Sequence, residues 1–198
     1  MSKSIEIQIL EKIKRSPKGT FFFVDSFAKI TNTKSVNKAL ERLVQSGKIE
    51  RVAQGIYVRP VIDNHIGKVL PSIEEIAVAI AKRDRATIIP TGSYAMYKLG
   101  LTTQVPLNIV FYSDTSARKI KIGKQTITFK KASSKNLAFL GEISTFAIQA
   151  LRTIGKDQVT VEEINQIKTI LKNENPNHLQ HNMLLAPVWI RKLIADNE

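Results

Sequence analysis

Apolar residues recur at helical spacing from the start of the chain. Ile5, Ile9, Leu10 and Ile13 mark a first helix, which Ser16-Pro17 ends with Gly19 just beyond. Thr20 to Val24 (TFFFV) is short, apolar and strand-like, and Asp25 is an expected N-cap for a brief second helix with Phe27 and Ile30 inward. After the polar turn Thr31-Asn32-Thr33, a third helix carries one apolar stripe of Val36, Ala39, Leu40, Leu43 and Val44, ended by Gly47. Its outward face is then Lys34, Ser35, Asn37, Lys38, Glu41, Arg42 and Gln45. Two β-like runs follow, Ile49 to Val52 and Ile56 to Arg59, joined through Ala53-Gln54-Gly55, with glycine supplying the tight conformation a hairpin needs.

Helix, helix, short turn, helix and hairpin is the order of a winged helix-turn-helix, whose last helix offers its exposed N-terminal residues to base edges. Within that reading Asn37 and Gln45 suit bidentate amide contacts, and Arg42 suits guanine. Lys34, Lys38, Arg51 and Arg59 suit phosphates, which set register without reading sequence. Ser35 lies on the same face, and Gln54 sits at the tip of the wing. The competing reading of this unit is a protein-interaction module, and Glu41 on the same helix face leans that way.

Beyond Pro60 the pattern changes. VIDNHIGKVLP, from Val61 to Pro71, carries loop formers between two periodic regions and places a boundary that separates residues 1–62 from 63–198. Ser72-Ile-Glu-Glu75 is a capping box that opens a helix running to about Lys82. A strand from Thr87 to Pro90, a small helix from Gly92 to Leu99 and a strand from Leu107 to Ser113 come next. Arg118 to Ile122 and Gln125 to Lys131 pair as a hairpin about Gly123-Lys124, with Ile120, Ile122, Ile127 and Phe129 on one face. Lys119, Lys121, Thr126, Thr128 and Lys130 take the other. Three helices close the chain: a stripe of Ile143, Phe146, Ala147, Ala150, Leu151 and Ile154; a second capping box at Thr160-Val-Glu-Glu163 leading to Ile164, Ile167 and Leu171; and a stretch from His178 to Ile194 interrupted by Pro187. The fold class is α+β: an N-terminal winged helix-turn-helix, then a mixed α/β domain with a small sheet and C-terminal helices.

Charge sharpens this picture. The 198 residues hold 30 Lys+Arg against 17 Asp+Glu, a net of +13. Residues 1–62 contribute +7 and residues 112–136 contribute +6, so the remainder is neutral. An excess confined to two blocks favours a polyanionic partner, such as double-stranded DNA or an acidic protein. For the lysine face of the second hairpin, Lys119, Lys121 and Lys130, two readings stand: a contact with a partner or a second nucleic-acid segment, or the protection of a sheet edge by lysine.

Catalysis finds little support. Gly92-Ser93 before a helix resembles a nucleotidyltransferase opening, but the strand that would carry metal-binding carboxylates reads Leu107-Asn-Ile-Val-Phe-Tyr, with no acid until Asp114. His178 and His181 share a helical face with Glu174 a turn earlier, but a firm third ligand is missing. No catalytic residue, metal site or cofactor is expected. Cysteine is absent, which removes disulfides and thiolate chemistry. The N-terminus lacks a signal-peptide core and no run approaches a membrane span, so a cytoplasmic protein without membrane attachment is expected.

Three segments carry a resemblance: GKIERVAQGIYVRP, IIPTGSYAMYKLGLTTQVPLNIVFYS and FKKASSKNLAFLGE. Together they resemble the AbiEi family, the antitoxins of type IV toxin–antitoxin systems, over about residues 5 to 155. Many relatives carry a basic residue where this chain has Gln54. The resemblance implies a winged-helix autorepressor bound to its own operator, joined to a domain (residues 63–198) that neutralises a cognate nucleotidyltransferase-like toxin.

Overall fold

The computed structural model describes residues 4–195, a mixed α+β chain of helices and small sheets. The chain divides into two compact units, Met1–Ala79 and Ile80–Glu198, the division falling inside helix α3. Helices are α1 (Ile5–Arg15), α2 (Thr33–Gln45), α3 (Ile73–Asp84), α4 (Ser93–Lys98), α5 (Ser134–Leu137), α6 (Ile143–Ile154), α7 (Val161–Leu171), α8 (Pro176–Leu185) and α9 (Val188–Ala195). Strands are β1 (Phe21–Phe23), β2 (Glu50–Ala53), β3 (Ile56–Val58), β4 (Val61–Asp63), β5 (Gly67–Val69), β6 (Ile88–Thr91), β7 (Asn108–Ser113), β8 (Arg118–Ile122) and β9 (Gln125–Lys131).

In the first unit the apolar stripes meet as their spacing requires. Ile9 and Ile13 of α1 and Val36, Ala39, Leu40 and Leu43 of α2 form one buried cluster with Phe22, Phe27, Ile49 and Tyr57. Each helix has a side-chain cap: Ser4 accepts from the Ile7 amide, and Asn32 from the Ser35 amide at 3.0 Å. At the far end of α2, Gly47 takes φ 67°, a left-handed conformation that closes the helix. The second helix expected after Asp25 is instead a single 3-10 turn at Val24–Phe27. Asp25 lies inside that turn, and Ser26 supplies the cap by accepting from the Phe23 amide at 3.0 Å. Phe27 and Ile30 do point inward.

β3 is the centre of a three-stranded antiparallel sheet, β1-β3-β2, so the TFFFV run is sealed by the hairpin that follows α2. The hairpin loop is Gln54-Gly55 alone, because Ala53 pairs with Ile56 and the register shifts between Arg51 and Ala53. The expected linker is also structured. Val61 pairs with Val69, and the Asp63 carboxylate accepts from the His65 and Ile66 amides at 2.8 and 3.0 Å, closing a second hairpin. Asp63 is exposed, and those backbone bonds lower its pKa.

The second unit holds a four-stranded sheet in the order β6-β7-β9-β8. β7 and β9 run parallel, Asn108 opposite Thr126 through Ser113 opposite Lys131, which places β8 at the edge. Ile109, Phe111, Ile127 and Phe129 bury one face, and the Tyr94 ring packs against Phe111 and Phe146. Helix α6 is buried from Ser144 through Leu151, including its polar residues. The last helical stretch is two helices, because Pro187 separates α8 from α9.

One buried carboxylate ties this unit together. Glu174, its side chain only 7% exposed, accepts from the Ser144 amide and hydroxyl, both at 2.8 Å, at the N-terminus of α6. The fit is close: a Cβ on Gly141 would lie 2.6 Å from a Glu174 oxygen, and Gly141 has φ 71°. Burial by itself raises the Glu174 pKa, but the Ser144 and Asn175 hydrogen bonds outweigh it and leave the group below its usual range. A depressed folded-state pKa contributes stability that is present above the unfolded value and lost as pH falls through the folded one. Thermal unfolding should therefore show wild-type stability declining below about pH 4.3, with that component missing in Glu174→Gln. Gly141→Ala should destabilise at every pH by more than about 1 kcal/mol; an unshifted Gly141→Ala melting curve would contradict the close fit.

Candidate nucleic-acid interface

The buried stripe of α2 decides where its charges go. With Val36, Ala39, Leu40 and Leu43 inward, Lys34, Lys38, Glu41, Arg42 and Gln45 are exposed, and Ser35 and Asn37 are half-buried at the flanks. Ser35 also lends its backbone amide to the Asn32 cap, so the first turn is held firmly. Arg42 lies 3.9 Å from Glu6 of α1, both side chains reaching solvent, a pairing worth little. The hairpin continues the surface: Gln54 is exposed at the turn, and Arg51 is exposed with its Nε 3.4 Å from the Ala53 carbonyl. Tyr57, paired with Arg51 across the strands, has its pKa raised by burial, against the opposing charge of Arg51.

Arg59 differs from the rest of the expected set. Its Nη1 donates to the Lys14 carbonyl at 2.9 Å and also to the Ser16 carbonyl, satisfying backbone oxygens left over at the end of α1. This cation is committed to the chain's own backbone, a duty no local pattern reveals because the partners are 45 and 43 residues away. Lys12 is likewise tied, donating to the Ser26 carbonyl and lying 5.4 Å from the Phe27 ring centroid.

The second basic block lies at a sheet edge. Lys119 pairs with Thr128 and Lys121 with Thr126, so their side chains share a face with Lys130, and all three lysines are exposed. Thr128 is buried on that same face and donates to the Asn108 side chain at 2.7 Å. Arg118 faces the other way: it pairs with Asp84 and sits 5.1 Å over the Phe129 ring. Burial raises the Asp84 pKa, yet Arg83 and Arg118 together bring it below the usual carboxylate range.

Of the residues weighed for catalysis or metal binding, Asp114, Glu174 and His181 each hold a backbone group. Asp114 accepts from the Thr87 amide with both oxygens, at 3.1 and 3.2 Å. Glu174 caps α6, His181 Nε2 lies 2.9 Å from the Ala138 carbonyl, and His178 Nδ1 is 3.9 Å from Glu174. Among the described residues no group of three His, Asp or Glu side chains is placed to hold a metal ion. A hollow beside Ser93 is lined by Met96, Thr102, Val105, Leu107 and Asn108, neutral side chains throughout. Among the described residues no helix is long and apolar enough to cross a membrane.

Comparison with known proteins adds a family. The model of a family of unknown function, DUF6088, matches residues 8–179. The chain belongs to that family. In this DUF6088 protein the match takes in residues 8–62 of the first basic block and all of the second. No curated protein matches it. Among solved structures, the crystal structure of the RV2827C protein from Mycobacterium tuberculosis is similar over 100% of this chain and 84% of that chain, with 11% identity and a TM-score of 0.47.

The two kinds of cation should separate in a melting experiment. Arg59→Ala should lower stability by about 1–2 kcal/mol, since its hydrogen bonds are charge-assisted. Lys34→Ala and Lys38→Ala should each stay within about 0.5 kcal/mol of wild type. Equal effects for all three would remove the distinction.

Proposed function

We propose that this DUF6088 protein is a DNA-binding transcriptional regulator, with residues 1–62 acting as a winged helix-turn-helix. The observation that carries this reading is the exposed basic face of α2, continuous in sequence with a hairpin that presents Arg51 and Gln54. Lys34, Lys38 and Arg51 serve as phosphate contacts. Asn37 and Arg42 are the base readers, with Ser35 supporting the helix start. Arg59 acts indirectly, by holding the end of α1 to the strand that carries the wing.

The finer reading is that of an AbiEi-like antitoxin: an autorepressor of its own operator whose residues 63–198 neutralise a nucleotidyltransferase-like toxin. It is supported by the three sequence segments that resemble that family and by the second basic block, which is separate in sequence from the first. Lys119, Lys121 and Lys130 are the side chains assigned to the toxin contact, and the working location is the cytoplasm. The alternative is an interaction module that binds an acidic protein or RNA without operator specificity; the Arg42–Glu6 pairing, which draws a base-reading side chain toward α1, favours it to that extent.

A mobility shift with the protein's own upstream DNA, with and without random competitor, tests the regulator. Lys38→Ala/Arg42→Ala should lose operator-specific binding while melting as wild type does, because a bidentate base contact contributes about 1–3 kcal/mol of discrimination. Unchanged specificity in the double variant would sink the α2 assignment. Binding that random DNA competes away fully would favour the interaction module.

A further inference from the structure

The edge strand β8 has an orientation that its lysine content alone does not reveal. The loop joining it to β9 has two residues, with Gly123 at φ 57° in the first central position, the arrangement of a type II′ turn. Such a turn bonds Ile122 to Gln125. Alternation along an antiparallel ladder then directs the backbone groups of Ile122, Ile120 and Arg118 toward β9. It turns the N–H and C=O groups of Lys119 and Lys121 the other way, outward from the sheet. The same two residues carry the exposed ammonium groups, while Ile120 and Ile122 are half-buried on the opposite face beside Ile127.

We propose that the outer edge of β8 receives an extended acidic segment of a partner protein as a fifth strand. Its backbone would bond to Lys119 and Lys121, as in recognition by strand addition. The pleat sets the partner's pattern: acidic residues opposite Lys119 and Lys121, with apolar residues between them continuing the face of Ile120 and Ile122. The lysines act in two directions. A second copy of β8 would bring lysine against lysine, which disfavours self-pairing, whereas an acidic strand meets complementary charge. The edge is also pre-ordered, because the hairpin fixes its backbone and Arg118 is anchored by Asp84 and Phe129. The inference deepens the partner half of the proposed function and rests on it for the source of the segment.

The test uses the full chain, isotopically labelled, and two synthetic peptides, one alternating glutamate with valine and one alternating lysine with valine. Saturating acidic peptide should slow hydrogen exchange of the Lys119 and Lys121 amides at least tenfold over the free protein, leaving Ile120 unchanged. The basic peptide should bind about tenfold more weakly, the size expected from two cross-strand charge pairs. Lys119→Glu/Lys121→Glu, which alters exposed side chains only, should reverse that preference. Acidic peptide that leaves both amides unprotected, or equal binding of the two peptides, would overturn strand addition. If, in addition, charge reversal still abolishes rescue from a toxin, the proposed function survives and only the docking mode falls. Protection of the two amides without operator binding would support the docking mode and sink the regulator.

Discussion

The one-sided burial of α2 is the interaction on which the first unit depends. Val36, Leu40 and Leu43 are all but sealed from solvent, and each contributes on the order of 1.5–3 kcal/mol by leaving water. Surface ion pairs of the Arg42–Glu6 kind contribute about 0–1 kcal/mol. The apolar stripe therefore fixes the rotation of the helix about its axis, and the basic face is its geometric consequence. Repulsion among these cations is tolerable because Lys34, Lys38 and Arg42 all reach water. The sheet β1-β3-β2 closes the opposite side of the core, and Arg59 fastens β3 to the end of α1.

Where local periodicity was strong, the elements were legible. The stripe of α2, the β2–β3 and β8–β9 hairpins and both capping boxes needed only neighbours within a few residues, and they stand close to their expected limits. Ser72 and Glu75 exchange their reciprocal bonds, as do Thr160 and Glu163. What escaped was non-local or conformationally subtle. The parallel pairing of β7 with β9 joins segments with another strand between them, and no pattern within either announces it. Val61 to Leu70 alternates weakly and is exposed throughout, so its turn residues read as a linker although they close a hairpin. The run after Asp25 is too short for an α-helix and folds as a 3-10 turn.

The candidate surface was legible for the same reason as α2, and the roles of individual cations were not. Nothing near Arg59 in sequence shows that Lys14 and Ser16 take up its guanidinium. Nothing near Gly141 shows that Glu174 occupies the space its missing side chain leaves. Both are contacts across long stretches of chain, and both convert residues of apparently functional type into structural ones. Asp114, the first acid after β7, likewise has a structural duty no local pattern reveals: its carboxylate accepts from the Thr87 amide just before β6.

The central claim is that the first basic block meets phosphates. Lys34, Lys38, Arg42 and Arg51 are the exposed cations of the assigned surface, Arg59 being occupied. The most direct measurement is operator affinity as a function of salt. At roughly −0.9 per phosphate neutralised, the three phosphate contacts Lys34, Lys38 and Arg51 give a slope of log K against log salt near −2.7, Arg42 being assigned to a base. Lys34→Ala should make that slope shallower by close to one contact. A flat dependence, or a slope that Lys34→Ala and Lys38→Ala both leave unchanged, would contradict the account.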